Sequence, residues 1–498
     1  LTIDVHRNLT IPIEDQGLDI RVETRTGDTS AYKKNRQKIL PPHMLMTTPE
    51  SLALLLSNKE SKDYFKDLKY LIIDEIHVLV NSKRGDLLSL NLSRIHSISP
   101  DCKRIGLSAT VKNKENVLQF LTSKNKAKIL NVKETSLPKI EILETKTRVP
   151  WSGHMASYAI KDIYQKIQKS SLTIVFVNTR AQAELVFNKL WQENDNNLRI
   201  AIHHGSLEKE IRRKVENLMS LGKIDCVVAT SSLDLGIDWG DVDLVIQIGS
   251  PKGISRFLQR IGRSNHKFDE PSNAILVPSN RFEYLECLSA INSIQNKLLD
   301  ETKEKKGSLD VLAQHVLGVA CSEPFQVDDL YNQVINAWPY RNLTKTKFLE
   351  VVEFVKNGGY SLKHYEQYSK IGLNKDKFYA INNKSVRNRY KLNVGTIVES
   401  YMLKVKLGNK TLGQVEEWFI EGLNEGDTFL FGGRVLEYQS ISNNNVIVKS
   451  TSHTQPKIPS YAGGRLPLST ELSIEVRKLL SEKQFWKKFP DQINEWLK

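Results

Sequence analysis

Short, nearly unbroken apolar runs constrain this chain more than any other feature. Leu71-Ile72-Ile73 and Thr173-Ile174-Val175-Phe176-Val177 show no in–out alternation. A strand of that kind is buried on both faces, as in a parallel sheet covered by helices. Up to about residue 250 such runs recur between helical stretches. Candidate strands are Ile20–Arg25, Met44–Thr47, Tyr70–Ile73, Arg104–Leu107, Leu172–Val177, Arg199–His203, Asp225–Ala229 and Leu244–Ile248. Between Lys133 and Pro150 the pattern breaks, with Pro138 and mixed polar residues reading as a linker. The expectation is two α/β domains, 1–137 and 138–300.

The style changes after the charged run Asp300–Lys306. Helices are expected at Leu309–Cys321, Asp328–Trp338 and Thr346–Lys356, the first with Leu309, Leu312, Val316 and Val319 on one face. Gly358-Gly359 stops the third, and extended segments follow. Three helices and a hairpin outline a winged helix over 301–391. Residues 392–498 read as strands separated by turns at Gly408-Asn409, Gly432-Gly433 and Asn443–Asn445, with a helical tail over Ser469–Leu480 and Glu482–Leu497.

Composition narrows the partners. Hydrophobic residues make up 40% and charged residues 26% of the 498, which excludes a disordered or fibrous chain. The 71 Lys and Arg against 57 Asp and Glu leave a net charge of +14, a surplus that suits a polyanion, either nucleic acid or a membrane surface. No uninterrupted apolar segment approaches the ~18 residues of a membrane span. The four cysteines are widely separated, so neither a disulfide framework nor a zinc site is expected, and a cytoplasmic setting fits. The sequence begins at Leu1 rather than Met, which suggests processing or a place within a longer protein.

The strongest local signal is Leu71-Ile72-Ile73-Asp74-Glu75-Ile76-His77. Two carboxylates leave the carboxyl end of a buried strand, where ligands of doubly wound sheets sit. Phosphoryl transfer needs one carboxylate for Mg²⁺ and another to orient the attacking water, which suits Asp74 and Glu75 respectively. Alone, the motif is equally a strand ending in an acidic turn. It is followed in order by Gly106-Leu107-Ser108-Ala109-Thr110, by Ala229-Thr230-Ser231-Ser232-Leu233-Asp234-Leu235-Gly236-Ile237-Asp238, and by Gln259-Arg260-Ile261-Gly262-Arg263.

This ordered set resembles the superfamily 2 helicases, of the DEAD/DEAH-box-like kind. Ser82-Lys83-Arg84-Gly85-Asp86, Leu1–Val5, Thr24–Asp28, Thr47-Thr48-Pro49-Glu50 and Pro459–Arg465 narrow the resemblance to the Lhr type, in its shorter bacterial, DNA-ligase-associated form. The fold so implied is a pair of RecA-like parallel-sheet domains, the first N-terminally truncated, then a winged helix and a β-rich C-terminal domain. The resemblance implies an ATP-driven 3′→5′ motor on single-stranded or forked DNA in repair, with ATP and Mg²⁺ as cofactors. A DNA ligase and a nuclease become candidate partners through it, and no membrane. Asp74 would hold Mg²⁺ and Glu75 would serve as base, both counted as metal-site residues. Gln259, Arg260 and Arg263 would reach the phosphates, Arg263 as the finger. His77, Ser108, Thr110, Gly236 and Asp238 would lie at the nucleotide. The strand would pass Thr26, Gly27, Thr48, Pro49, Arg180, His204, Gly205, Ser206, Thr230 and Ser231, whose hydroxyls, amides and one cation suit phosphates rather than base edges. His266 stands where many superfamily 2 proteins carry an arginine.

Residues 375–410 hold nine Lys and Arg with Phe378, Tyr379, Tyr390 and Tyr401 among them, either a single-strand stacking platform or a solvated surface over core aromatics. A G-x-x-x-x-G-K-[ST] loop, which would supply amides and a lysine to the β- and γ-phosphates, does not occur; Gly222-Lys223 is followed by Ile224. The expectation is therefore a motor lacking its N-terminal part, weak in ATP hydrolysis by itself. The alternatives are a catalytically incomplete nucleic-acid clamp or scaffold, and an RNA helicase.

Overall fold

The computed structural model describes all residues except 1, 109–110, 123–126, 132–136, 154, 235–241, 265–270, 301–304, 360–361, 363–364, 366–367, 396–400, 453–455, 460, 462–466 and 498, and the side chains of 2–7 and 487–488. The chain forms two compact units, each built from segments distant in sequence. One joins Thr2–Asn131 to Glu301–Val398, the other Val132–Asp300 to Glu399–Lys498.

In the first unit, Val22–Arg25 pairs in parallel with Met44–Thr47, and Tyr70–Ile73 with Lys103–Gly106. Helices Pro49–Leu56 and Lys83–Ile98 cover the second pair; Leu52, Leu55, Leu56, Leu88, Leu92 and Ile95 close on Ile73 and Ile76. The other strand face is open. Tyr70, Ile72, Ile105 and Leu107 are exposed, so these apolar runs are not buried on both faces within the described residues.

The winged helix seats on this lobe. Helices Leu309–Ser322, Val327–Ile335 and Lys345–Asn357 and the hairpin Ile371–Leu373 with Tyr379–Ile381 form it. Its core, including Val311, Leu312, Val316, Phe348 and Val352, runs on into Ala53, Leu87 and Leu90 of the lobe. The joint is pinned by Asp86, a fully buried carboxylate. It accepts from Lys305 Nζ at 2.9 Å, Ser308 Oγ at 2.8 Å and Ser308 N at 3.1 Å. A buried carboxylate persists only when so partnered.

The second unit is organised on a six-stranded, all-parallel sheet in the order Lys139–Ile142, Asn273–Val277, Leu244–Ile248, Thr173–Phe176, Cys226–Ala229, Ile200–His203. The order reverses about Thr173–Phe176, the place where ligands of doubly wound sheets gather beyond the carboxyl ends. The edge strand Lys139–Ile142 corrects the linker reading of 133–150. Its alternating Lys-Ile-Glu-Ile is an edge-strand pattern, half wet, and not the unbroken run of a central strand.

Strands Met402–Leu407, Lys410–Glu416, Thr428–Phe431, Arg434–Ser442 and Asn445–Ser450 make a five-stranded sheet with turns at 408–409, 432–433 and 443–444. It packs on the α/β sheet's helices: Leu403, Val405, Phe429 and Phe431 share one core with Val186, Phe187, Ile202 and Leu207. Helix Thr470–Ser481 lies along Arg281–Gln295, with Leu472 in the core around Cys287 and Leu479 against Leu285.

Candidate nucleotide and nucleic-acid sites

Each described sequence candidate except those of helix Ile254–Ile261 and its end lies at or just beyond the carboxyl end of a parallel strand. In the first unit, Asp74 and Glu75 follow Tyr70–Ile73, and Ser108 follows Lys103–Gly106. The parallel register brings them together, Leu107 N donating to Ile73 O at 2.8 Å and Ile76 N to Leu107 O at 3.0 Å. Asp74 is exposed and its Oδ1 accepts from Glu75 N at 2.9 Å. Glu75 sits at φ +49°, a left-handed conformation unusual for a residue with a side chain. That strained turn aims its carboxylate back at the His77 ring, Oε2 to Nε2 3.5 Å. The other ring nitrogen, Nδ1, is 3.2 Å from Ser108 Oγ. Burial holds the His77 imidazole below its usual pKa, against the opposing charge of Asp74. Carboxylate, imidazole and hydroxyl thus lie in a row across the ends of two strands. Thr110, the remaining candidate here, lies outside the described residues.

The Thr26-Gly27 and Thr48-Pro49 turns follow a second parallel pair, in which Arg25 is opposite Thr47. Thr26 N donates to Thr29 Oγ1 at 3.0 Å, and Lys34 Nζ to Gly27 O at 3.0 Å. Thr48 caps helix Pro49–Leu56 through Ser51 N at 3.3 Å, with Pro49 at its first position. The cap explains these residues without excluding a phosphate contact. Arg84 holds Glu50 by two bonds of 2.6 and 3.2 Å.

In the second unit Arg180 follows the central strand, His204-Gly205-Ser206 the edge strand, and Thr230-Ser231 the strand between them. Arg180 Nη1 donates to Ser206 Oγ at 2.9 Å and its guanidinium lies over the Tyr461 ring at 5.2 Å. Ser231 is exposed, whereas Thr230 and Ser206 are buried. The His204 side chain is wholly buried and points inward. Its Nε2 is 3.0 Å from Glu184, a residue the sequence reading missed. Glu184 also accepts from Gly432 N at 2.5 Å and Gly433 N at 2.9 Å, tying the C-terminal sheet's turn to the loop. A lone acid among Ala183, Val186, Phe187 and Leu190 was the available signal.

Arg260 differs from its expected placement. Helix Ile254–Ile261 turns Ile254, Phe257, Arg260 and Ile261 inward. The Arg260 guanidinium is 1% exposed, bonded to Asp234 at 2.8 and 3.3 Å and to Gln247 at 2.6 Å, and lies on Phe176 at 4.9 Å. All its donors face its own lobe, and it acts as a bracket beneath the motif rather than a group offered to phosphate. Gln259, on the helix, and Arg263, just past its Gly262 cap, are half-buried. Arg263 Nη2 donates to Asp234 O at 3.1 Å. Asp234 thus fixes both arginines. Gly236, Asp238 and His266 lie outside the described residues.

Three family models match the chain in succession: DEAD/DEAH box helicase over 1–118, helicase conserved C-terminal domain over 157–266, and the winged-helix domain of the large helicase-related protein over 292–458. The chain belongs to the Lhr-type superfamily 2 helicases. It is similar to ATP-dependent helicase Lhr-Core protein 2 of Thermococcus barophilus, 35% identical over 97% of this chain and 58% of that protein. Lhr-Core of Methanocaldococcus jannaschii is 36% identical with the same shares, 97% and 58%. The structure of Mycobacterium smegmatis helicase Lhr bound to ssDNA and AMP-PNP matches with a TM-score of 0.73 at 26% identity, over 100% of this chain and 62% of that one. This Lhr-type chain spans about three-fifths of the relatives' length.

Proposed function

We propose that the chain is the motor core of an ATP-dependent DNA helicase or translocase. The Asp74–Glu75–His77–Ser108 arrangement carries this reading, because it joins a water-activating carboxylate to the end of the next strand. Asp74, an exposed hard-oxygen donor, fits a Mg²⁺ ion that takes one protein carboxylate and completes its shell with phosphate oxygens and water. That ion would neutralise phosphate charge. Glu75 would accept a proton from the attacking water, and its φ +49° turn sets the carboxylate beside His77. Gln259 and Arg263 are the groups of the second unit assigned to the γ-phosphate, Arg263 being held by the Asp234 carbonyl. A positive side chain there stabilises transition-state charge by ~10³–10⁵-fold in related chemistry. The exposed Gly27 and Ser231, the half-buried Thr26 and Thr48-Pro49, and Arg180 are assigned to the backbone of a single strand.

DNA is the preferred polymer because the Lhr of Mycobacterium smegmatis is described with ssDNA bound. The 3′→5′ direction, a role in repair, and ligase and nuclease partners belong to this proposal through the resemblance. The test is ATP hydrolysis by the protein that carries these 498 residues, with and without single-stranded DNA. Stimulated turnover that Glu75→Gln abolishes, with strand affinity in a non-hydrolysable ATP analogue retained, supports it. Turnover undiminished by Glu75→Gln removes Glu75 from its role, and stronger stimulation by RNA transfers the motor to that polymer.

A further inference from the structure

Tyr461 belongs to the Pro459–Arg465 segment and lies under the Arg180 guanidinium, yet no step of the motor uses it. The loop that Arg180 touches explains why the ring is there. Between strand Ile200–His203 and helix Lys209–Ser220 the chain runs along the edge of the five-stranded sheet, beside Lys410–Glu416. Gln414 N donates to Ser206 O at 2.8 Å and Glu208 N to Leu412 O at 2.9 Å, an antiparallel rung in which Leu207 is opposite Gly413. The approach is close enough to need glycine, because a Cβ at Gly413 would lie 2.1 Å from Ser206 O. Glu184 adds a second tie, taking His204 Nε2 at 3.0 Å and the Gly432 and Gly433 amides at 2.5 and 2.9 Å. The loop is thus built half by the α/β domain and half by the C-terminal sheet, with Gly205 exposed and Ser206 buried.

The same sheet delivers Tyr461. Lys457, four residues earlier, adds in parallel to Thr428–Phe431, its N donating to Thr428 O at 2.7 Å and its O accepting from Leu430 N at 3.0 Å. Pro459 is buried and Tyr461 half-buried, its ring centre 5.2 Å from the Arg180 guanidinium carbon. On its other contact Arg180 Nη1 donates to the buried Ser206 Oγ at 2.9 Å.

Among the described residues no carboxylate forms an ion pair with Arg180. A hydroxyl and an aromatic face fix a guanidinium without neutralising it, and leave N–H donors for an incoming anion. An unsupported arginine side chain gives up its rotamer freedom on binding, whereas one already stacked and bonded has given it up beforehand.

We propose that Tyr461 is a positioning residue of the strand site: its ring holds the Arg180 guanidinium ready for one phosphate of the bound strand, so that the C-terminal sheet sets strand affinity in the second unit. The proposal rests on the motor reading. Tyr461 acts through Arg180 and needs no contact with the strand itself.

The test is a double-mutant cycle in the protein that carries these 498 residues. It is read by anisotropy of labelled oligo-dT with a non-hydrolysable ATP analogue at ~0.1 M salt, and by DNA-stimulated ATP turnover. Tyr461→Leu should lower strand affinity about three- to tenfold and raise the half-saturating DNA concentration equally, with turnover at saturating DNA retained. Tyr461→Phe keeps the ring and should bind as wild type. In an Arg180→Ala background Tyr461→Leu should cost less than about twofold more, because both remove one contact, whereas independent structural losses multiply. Arg180→Lys keeps the charge but not the flat fork that lies on a ring, so it should lose about threefold, and it leaves the sheet intact even if Tyr461→Leu fails to fold. A wild-type chain that binds no DNA overturns the motor reading itself. Arg180→Ala with wild-type affinity takes this loop off the strand path, and the role of Tyr461 with it. Weakened binding in Arg180→Ala overturns the role of Tyr461 alone if Tyr461→Leu or Arg180→Lys binds as wild type, or if the Tyr461→Leu loss is undiminished in the double variant.

Discussion

Replacing Arg260 by alanine separates a bracket from a phosphate-contacting group. The guanidinium is 1% exposed and makes bonds of 2.8 and 3.3 Å to Asp234 and 2.6 Å to Gln247. Its removal leaves Asp234, itself buried, without its counter-charge, and Gln247 Oε1 without that donor. Breaking a buried ion pair from one side costs about 3–5 kcal/mol. The orphaned amide oxygen adds about 1–3 kcal/mol, and relaxation or an entering water recovers part. A loss of about 4 kcal/mol is a factor near 10³ in the local folding equilibrium. The assay is urea denaturation followed by tryptophan fluorescence, with hydrogen exchange reporting on strands Leu244–Ile248 and Thr173–Phe176. Because the chain has two units, exchange in the second unit is the decisive readout. Arg263→Ala, which removes only the bond to the Asp234 carbonyl, should cost less protection than Arg260→Ala in the same readout. Equal protection in Arg260→Ala and wild type would refute the bracket.

Other outcomes follow from the same geometry. Arg263→Ala should lower ATP turnover by at least about 100-fold while strand affinity changes less than about threefold, an effect scaled from arginine-finger chemistry and read by paired kinetics and anisotropy. Gly433→Ala places a Cβ 2.3 Å from the Phe187 ring at φ +71°, so about 2 kcal/mol or more should be lost from the C-terminal sheet's docking, seen as a lowered melting temperature. Burial next to Arg94 pushes the His315 imidazole down to about 3. The unfolded chain takes up that proton near 6.5, so stability is complete above this value and falls by about 1.4 kcal/mol per pH unit as pH drops toward 3. His315→Gln should flatten this slope in urea midpoints measured at about pH 7 and pH 5.

The strands, the winged helix and the position of Asp74 and Glu75 were legible in the residues because each depends on local pattern. An apolar run names a buried strand, and a parallel strand puts its ligands beyond its carboxyl end. The strand Lys139–Ile142 was not legible, since an edge strand needs only alternate apolar residues and its neighbour Asn273–Val277 is distant in sequence. Whether Tyr379 and Tyr390 stack on bases or fill a core stays open in the sequence, because spacing records charge and ring but not direction. Gln259, Arg260 and Arg263 stand in one short motif, yet the helix turns Arg260 inward while Gln259 and Arg263 stay half-buried.

The sequence by itself determined most of the strands and the winged-helix helices, where many turns carry a carboxylate, hydroxyl or cation, and to which helicase family the pattern corresponds. Only the tertiary structure decided that Glu184 reaches the Gly432-Gly433 amides and that Asp86 fastens the winged helix to its lobe. Periodicity acts over a few residues, whereas a buried carboxylate is satisfied by whichever donors the whole fold brings within about 3 Å, whatever their separation along the chain.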